Sequence, residues 1–64
     1  MNDNAMMNAL NKIDTEISKL FRILESEYDM ENREDFTENL WKLSTATGKM
    51  KGILFENELN NQPN

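Results

Sequence analysis

The sequence predicts an all-α protein, an antiparallel two-helix hairpin that dimerises into a four-helix bundle. In both halves of the chain, mostly apolar residues recur at alternating steps of four and three, which places them on one side of a helix. The chain has no valine and no run of alternating apolar and polar residues, so strands are not expected. One proline and two glycines leave little to interrupt a helix.

The first helix is expected at about residues 4–28. Asn2, Asp3 or Asn4 can cap its start by accepting hydrogen bonds from backbone N–H groups. Phe21, Ile23 and Tyr28 broaden its apolar surface beyond a single stripe. The stripe itself consists of six residues at steps of 4, 3, 4, 3 and 4: Met6, Leu10, Ile13, Ile17, Leu20 and Leu24.

An acidic turn is expected at about residues 29–32, between the two helices. The surrounding window, residues 25–38, holds seven acidic residues and one basic residue, Arg33, a net charge of −6. Such a short connection makes the two helices antiparallel neighbours.

The second helix is expected at about residues 33–60, with Asn32 as its cap and a disordered tail at 61–64. Glu34 and Asp35 stand in its first turn, where negative charge is favourable against the helix dipole. An alternative ends this helix at Gly48 and folds a third helix back from about Lys49. The continuous stripe favours one helix: Phe36, Leu40, Leu43, Thr47, Met50, Leu54 and Asn57.

Self-association is expected because one hairpin covers only one side of each stripe. Ordering a chain costs about 1.5 kcal/mol per residue, which a small core rarely offsets. The 64 residues include no cysteine and no histidine, so disulfides and the usual soft metal ligands cannot supply the difference. The residues expected in the core or the self-association interface are Leu10, Ile13, Ile17, Leu20, Leu24, Phe36, Leu40, Leu43, Met50 and Leu54.

A line of three residues beside the second stripe is a candidate partner-binding surface. Trp41, Gly48 and Phe55 follow at spacings of seven, so Gly48 opens a gap between two aromatic rings. Aromatic residues dominate interface energetics, which favours a notch for a partner's side chain. The alternative is packing, in which Gly48 lets another helix approach closely.

The acidic residues of the turn are a second candidate. A basic partner would relieve the repulsion among them, whereas the alternative is a solvated turn whose acids cap the second helix. A calcium loop is not expected, because Arg33 occupies a ligand position and no glycine follows. The candidate residues are Glu27, Asp29, Glu31, Glu34 and Asp35.

Four lysines support an alternative role in binding nucleic acid. Lys12 and Lys19 share one heptad position and Lys42 and Lys49 share another, so a dimer would double them into a modest basic patch. The net charge of −5 argues against a general attraction to nucleic acid or to anionic membranes.

A non-catalytic regulatory or adaptor protein, acting through protein–protein interaction, is the function that these features favour. Without histidine or cysteine, neither an enzyme nor a cofactor or metal site is expected.

No apolar run approaches a membrane span and the first residues do not resemble a secretory signal, so a cytoplasmic location is expected. Ten asparagines suggest an AT-rich source such as a bacteriophage or another mobile element. The alternatives are a dimeric regulator that binds an RNA loop or DNA, and a structural assembly subunit.

Overall fold

The computed structural model describes residues 3–60 as two helices that pack against each other in antiparallel directions. Helix α1 spans Asp3–Ser26 and helix α2 spans Arg33–Asn60. The hairpin is a narrow rod of 55 × 16 × 15 Å. The all-α fold with two packed helices is therefore confirmed. The expected cap at Asn2 and the expected disordered tail at 61–64 lie outside the described residues.

Helix α1 ends two residues earlier than its periodicity predicted. The N–H of Glu27 donates to the carbonyl of Leu24 at 3.1 Å, which tightens the last turn. The hydroxyl of Ser26 donates to the carbonyl of Ile23 at 2.8 Å, satisfying another helix-end acceptor. These local hydrogen bonds close the helix before Tyr28, whose side chain is 82% exposed.

The chain enters α2 through Asn32, as the sequence predicted for the start of this helix. The carbonyl of Asn32 accepts the N–H of Phe36 at 3.0 Å, which is the first hydrogen bond of the helix. Asn32 adopts a left-handed backbone conformation with φ of 59°. Asparagine tolerates this region better than most residues, so the sharp turn is placed at a residue that suits it.

Helix α2 continues through Gly48 and Gly52, so the alternative with a third helix is wrong. Neither glycine has a positive φ, and neither therefore forms the left-handed cap that would end a helix. Leu54, beyond both glycines, is buried against α1. The burial of Leu54 stabilises the helical continuation.

The core is a line of residues spaced seven apart on each helix. Leu40 is 4% exposed and Thr47 is 1% exposed, so the line is closed to solvent along most of its length. It contains only half of the residues expected in the core or the self-association interface. The buried residues are Leu10, Ile17 and Leu24 on α1, and Leu40, Thr47 and Leu54 on α2.

The other half of the predicted stripes lies outside this seam. Ile13, Leu20, Phe36, Leu43 and Met50 are 36–45% exposed. On each helix, the buried residues are flanked by a row of apolar residues on one side and a row of more polar residues on the other. The more polar row is the less exposed of the two. The half-buried residues of that polar row include Asp14, Phe21, Thr37, Ser44 and Lys51.

Replacing Leu40 by alanine is expected to destabilise the hairpin severely. Removing a buried leucine costs about 2–5 kcal/mol, a large part of the stability of so small a domain. Thermal unfolding followed by far-ultraviolet circular dichroism, at equal protein concentration, measures the loss. The control is Leu59→Ala, at a residue 51% exposed, which is expected to cost less than about 0.5 kcal/mol. Equal losses in the two variants would contradict the assigned core.

Candidate interaction surfaces

The hairpin has two long flanks of opposite character, one on each side of the plane through its helices. On one side, a groove between the helices is lined only by apolar residues, among them Met6 and Met50. On the other side, the groove is lined by polar and small residues together with Ile17 and Phe21. We call these sides the apolar flank and the polar flank.

The apolar flank takes six long side chains, three from each helix. In an α-helix, positions three and four residues apart share a face. The apolar row beside the buried residues therefore stays on the same flank along the whole helix. Ile23 and Ile53 widen the flank and are 55% and 57% exposed. Its central residues are Met6, Ile13 and Leu20 on α1, and Phe36, Leu43 and Met50 on α2.

The polar flank contains a cluster of three side chains that joins the helices. The hydroxyl of Thr47 lies 2.8 Å from Oδ1 of Asp14 and 2.8 Å from the carbonyl oxygen of Ser44. Its single proton is shared between these two acceptors. The ammonium of Lys51 forms an ion pair with the other oxygen of Asp14. Asp14 and Lys51 were not predicted to interact; their only sequence signal is that both lie on the same side of their stripes.

The cluster favours the ionised form of Asp14. Hydrogen bonds from Lys51 and then from Thr47 lower the pKa of this carboxyl below its ordinary value of 3.8. Both bonds are made to the charged form, which is the physical reason for the direction of the shift.

Trp41 and Phe55 are exposed beside the polar flank, as a partner-binding surface requires. Trp41 is 60% exposed, although its ring contacts that of Phe21 with centroids 4.8 Å apart and planes tilted by 50°. Phe55 is 58% exposed. A Cβ atom added to Gly48 would meet nothing within 4 Å. Within the hairpin, Gly48 therefore does not serve the close helix packing that was the alternative interpretation.

The five acidic residues of the turn are all exposed. Within residues 3–60 Arg33 forms no ion pair with them; its Nε and Nη2 donate to the carbonyl of Leu24 at 3.3 and 2.8 Å. Within residues 3–60, the ion pairs involve none of the five carboxylates. The charge of Arg33 remains among these acids without a direct ion pair to any of them; the five are Glu27, Asp29, Glu31, Glu34 and Asp35.

The hairpin does not bring the four candidate lysines together. All four are exposed and lie on the side of their helix that is opposite the buried line, so the two pairs point away from each other. Lys19 is paired with Glu16 at 3.0 Å and Lys42 with Glu38 at 3.6 Å. A basic patch containing Lys12, Lys19, Lys42 and Lys49 is therefore not formed by one copy.

Two further properties concern residues 3–60. Neither helix is both long enough and apolar enough to cross a membrane. No group of three or more acidic side chains is arranged to hold a metal ion. In comparisons with known proteins, no family model, curated protein or solved structure matches the chain.

Replacing Asp14 by asparagine is expected to lower stability at neutral pH and to matter less in acid. Because the pKa of Asp14 is lowered on folding, its ionised form stabilises the fold above pH 3.8. This stabilisation is lost as the pH falls through the still lower pKa of the folded state. Unfolding by urea across this pH range should show the two proteins converging below pH 3.8.

The matched control for this prediction is Glu16→Gln, in α1. The Glu16 side chain is 68% exposed and forms an ion pair with Lys19 within the same helix. Exposed pairs of this kind contribute little, so a small effect is expected. A stability difference between wild type and Asp14→Asn that is independent of pH would contradict the role assigned to the carboxylate.

Proposed function

We propose that this protein is a small non-catalytic regulatory or adaptor protein that acts through protein–protein interaction, and that two copies form a four-helix bundle. The apolar flank is the observation that carries the proposal. Its six central side chains, together with Ile23 and Ile53, form a continuous apolar stripe along both helices. Contiguous exposed apolar surface on a small domain is typical of an interaction site.

The size of the flank suits a dimer interface. The hairpin is 55 Å long and 16 Å wide, so one face is of the same order as the ~800 Å² per partner that standard interfaces bury. Met6, Met50 and Ile53 line a groove in this flank, and Ile13, Leu20 and Leu43 lie on the same side of their helices. Two such faces can interdigitate as the inner layers of a four-helix bundle.

The polar flank supports the same arrangement from the other side. Asp14, Thr47 and Lys51 already satisfy one another's hydrogen-bonding groups across the helices. This flank therefore gains little from being covered, whereas the apolar flank gains from the removal of its side chains from water. The polar flank, Trp41 and the turn would stay on the outside of the bundle.

The adaptor role rests on the surfaces that the bundle leaves free. The turn and the chain on either side of it carry five exposed carboxylates with no ion-pair partner among residues 3–60. A partner with a basic surface would be guided to this charge and would relieve the repulsion within it. Trp41 and Phe55 offer exposed aromatic area that can add affinity. The mechanism would be steric or electrostatic masking of the partner.

Leu43→Lys is expected to weaken self-association at least about 30-fold. The dimer interface loses two leucine side chains, one from each copy. Each is already half-buried in the hairpin, so the two together cost about 2 kcal/mol of association free energy. Sedimentation equilibrium over a series of protein concentrations measures the dissociation constant.

The control for this variant is Thr45→Lys, two residues away on the outer surface of α2. It introduces the same charge at a residue that is exposed and outside the apolar flank, so association should be unchanged. A wild-type protein that sediments as a folded monomer at micromolar concentration would refute the dimer. Equal weakening by both lysines would refute the assignment of the flank.

Electrophoretic mobility shifts are expected to show no binding of RNA or duplex DNA at low or moderate salt. The net charge is −5, and the two lysine pairs lie on opposite edges of the hairpin. A shift that falls steeply with salt and disappears in Lys42→Gln/Lys49→Gln would replace the proposed function by the nucleic-acid alternative. Large particles in light scattering would instead favour a structural assembly subunit.

A further inference from the structure

Two copies can cover each other's apolar flank in two ways that preserve two-fold symmetry. In both, every helix has antiparallel neighbours. The turns lie at the same end of the bundle in one arrangement and at opposite ends in the other. We infer that the second copy lies head-to-tail, with the two acidic turns at opposite ends. This inference rests on the proposed dimer and specifies how the partner copy is oriented.

Charge is distributed unevenly along the rod. The turn end, residues 25–38, carries −6. The middle, residues 12–22 and 42–51, carries +4, and the open end, residues 3–11 and 52–60, carries −3. Both arrangements place the middle of one copy against the middle of the other. The two arrangements therefore differ in which charged ends lie side by side.

The same-end arrangement places the two most charged regions side by side. Two turns of −6 each would face one another within about one or two Debye lengths, because neighbouring helices pack 8–10 Å apart and the screening length is ~8 Å at physiological salt. The head-to-tail arrangement instead places each turn beside an open end of −3. The repulsion between the copies is therefore smaller when they lie head-to-tail.

The local ion pairs strengthen this preference. Arg33, whose charge is included in the −6, donates to the carbonyl of Leu24, and of the seven acidic residues of the turn end only Glu38 is in an ion pair within residues 3–60, with Lys42 at 3.6 Å. The main opposing effect is at Glu16, which would approach its own symmetry mate at the centre of a head-to-tail dimer. Glu16 is paired with Lys19 at 3.0 Å, and it is one carboxylate on each copy against the seven acidic residues of each turn end.

The head-to-tail arrangement has a consequence for binding. Each dimer presents two acidic turns about 45 Å apart, as estimated from the rise of 1.5 Å per residue along the helices. A basic partner can then occupy each end without contact with the other. The dimer would bridge two copies of such a partner.

Spin labels on introduced cysteines test this orientation, since the chain has no cysteine of its own. Each label is attached to a single-cysteine variant, and the distance between the two copies is measured by double electron–electron resonance. Thr45→Cys lies near the middle of the rod, so it should give a distance below about 30 Å in either arrangement. Glu31→Cys lies at the turn and should give about 45 Å in the head-to-tail dimer.

The two labels separate the possible failures. A short distance at both positions, with Glu31→Cys below about 25 Å, would overturn the head-to-tail arrangement and leave the dimer intact. No measurable distance at Thr45→Cys, in protein that circular dichroism shows to be helical, would overturn both the dimer and its orientation. A short distance at Thr45→Cys and a long one at Glu31→Cys supports the inference.

Discussion

The carboxylate of Asp14 lies between the two helices and is bound from the opposite helix by both Thr47 and Lys51. This contact constrains how far each helix can rotate about its own axis. Each helix has two lines of residues beside its buried line, and only one of them can enter the seam. A polar group bonded across helices selects one packing at a cost in stability. With Asp14 and Lys51 paired on one side of the buried line, Ile13 and its neighbours lie on the other side, where they form the apolar flank.

The sequence periodicity was sufficient to predict the two helices and the stripes that contain the buried line. Burial on a helix must repeat every three or four residues, so spacing alone placed Leu10, Ile17 and Leu24 in a stripe, together with Ile13 and Leu20, which the hairpin leaves partly exposed. The unbroken course of α2 followed from the same rule, because Leu54 continues the repeat beyond Gly48. The end of α1 could not be found this way, since it depends on hydrogen bonds of Glu27 and Ser26 that leave no periodic signal.

The pattern of apolar residues could not predict which side of each stripe packs against the other helix. Such a pattern groups Ile13 and Leu20 with the buried line, and it excludes Asp14 because it is charged. In the hairpin, Asp14 lies beside the buried line and pairs with Lys51 on the other helix, and both side chains stay partly exposed. The position of Asp14 thus depends on a contact with a residue 37 positions away in the sequence. The acidic turn was easier to predict, although the sequence did not show that Arg33 is bound to a backbone carbonyl.

The one-sided placement of the apolar residues also bears on the size of the proposed assembly. A flank that binds the same flank of a second copy is consumed in both, so the contact closes on itself. In the proposed dimer, the large apolar side chains left outside include Trp41 and Phe55 beside the polar flank, where Asp14 and Lys51 are already paired. The negative ends of such a bundle repel those of the next, which opposes stacking into filaments. Growth through the apolar flank would therefore stop at two copies in the proposed dimer.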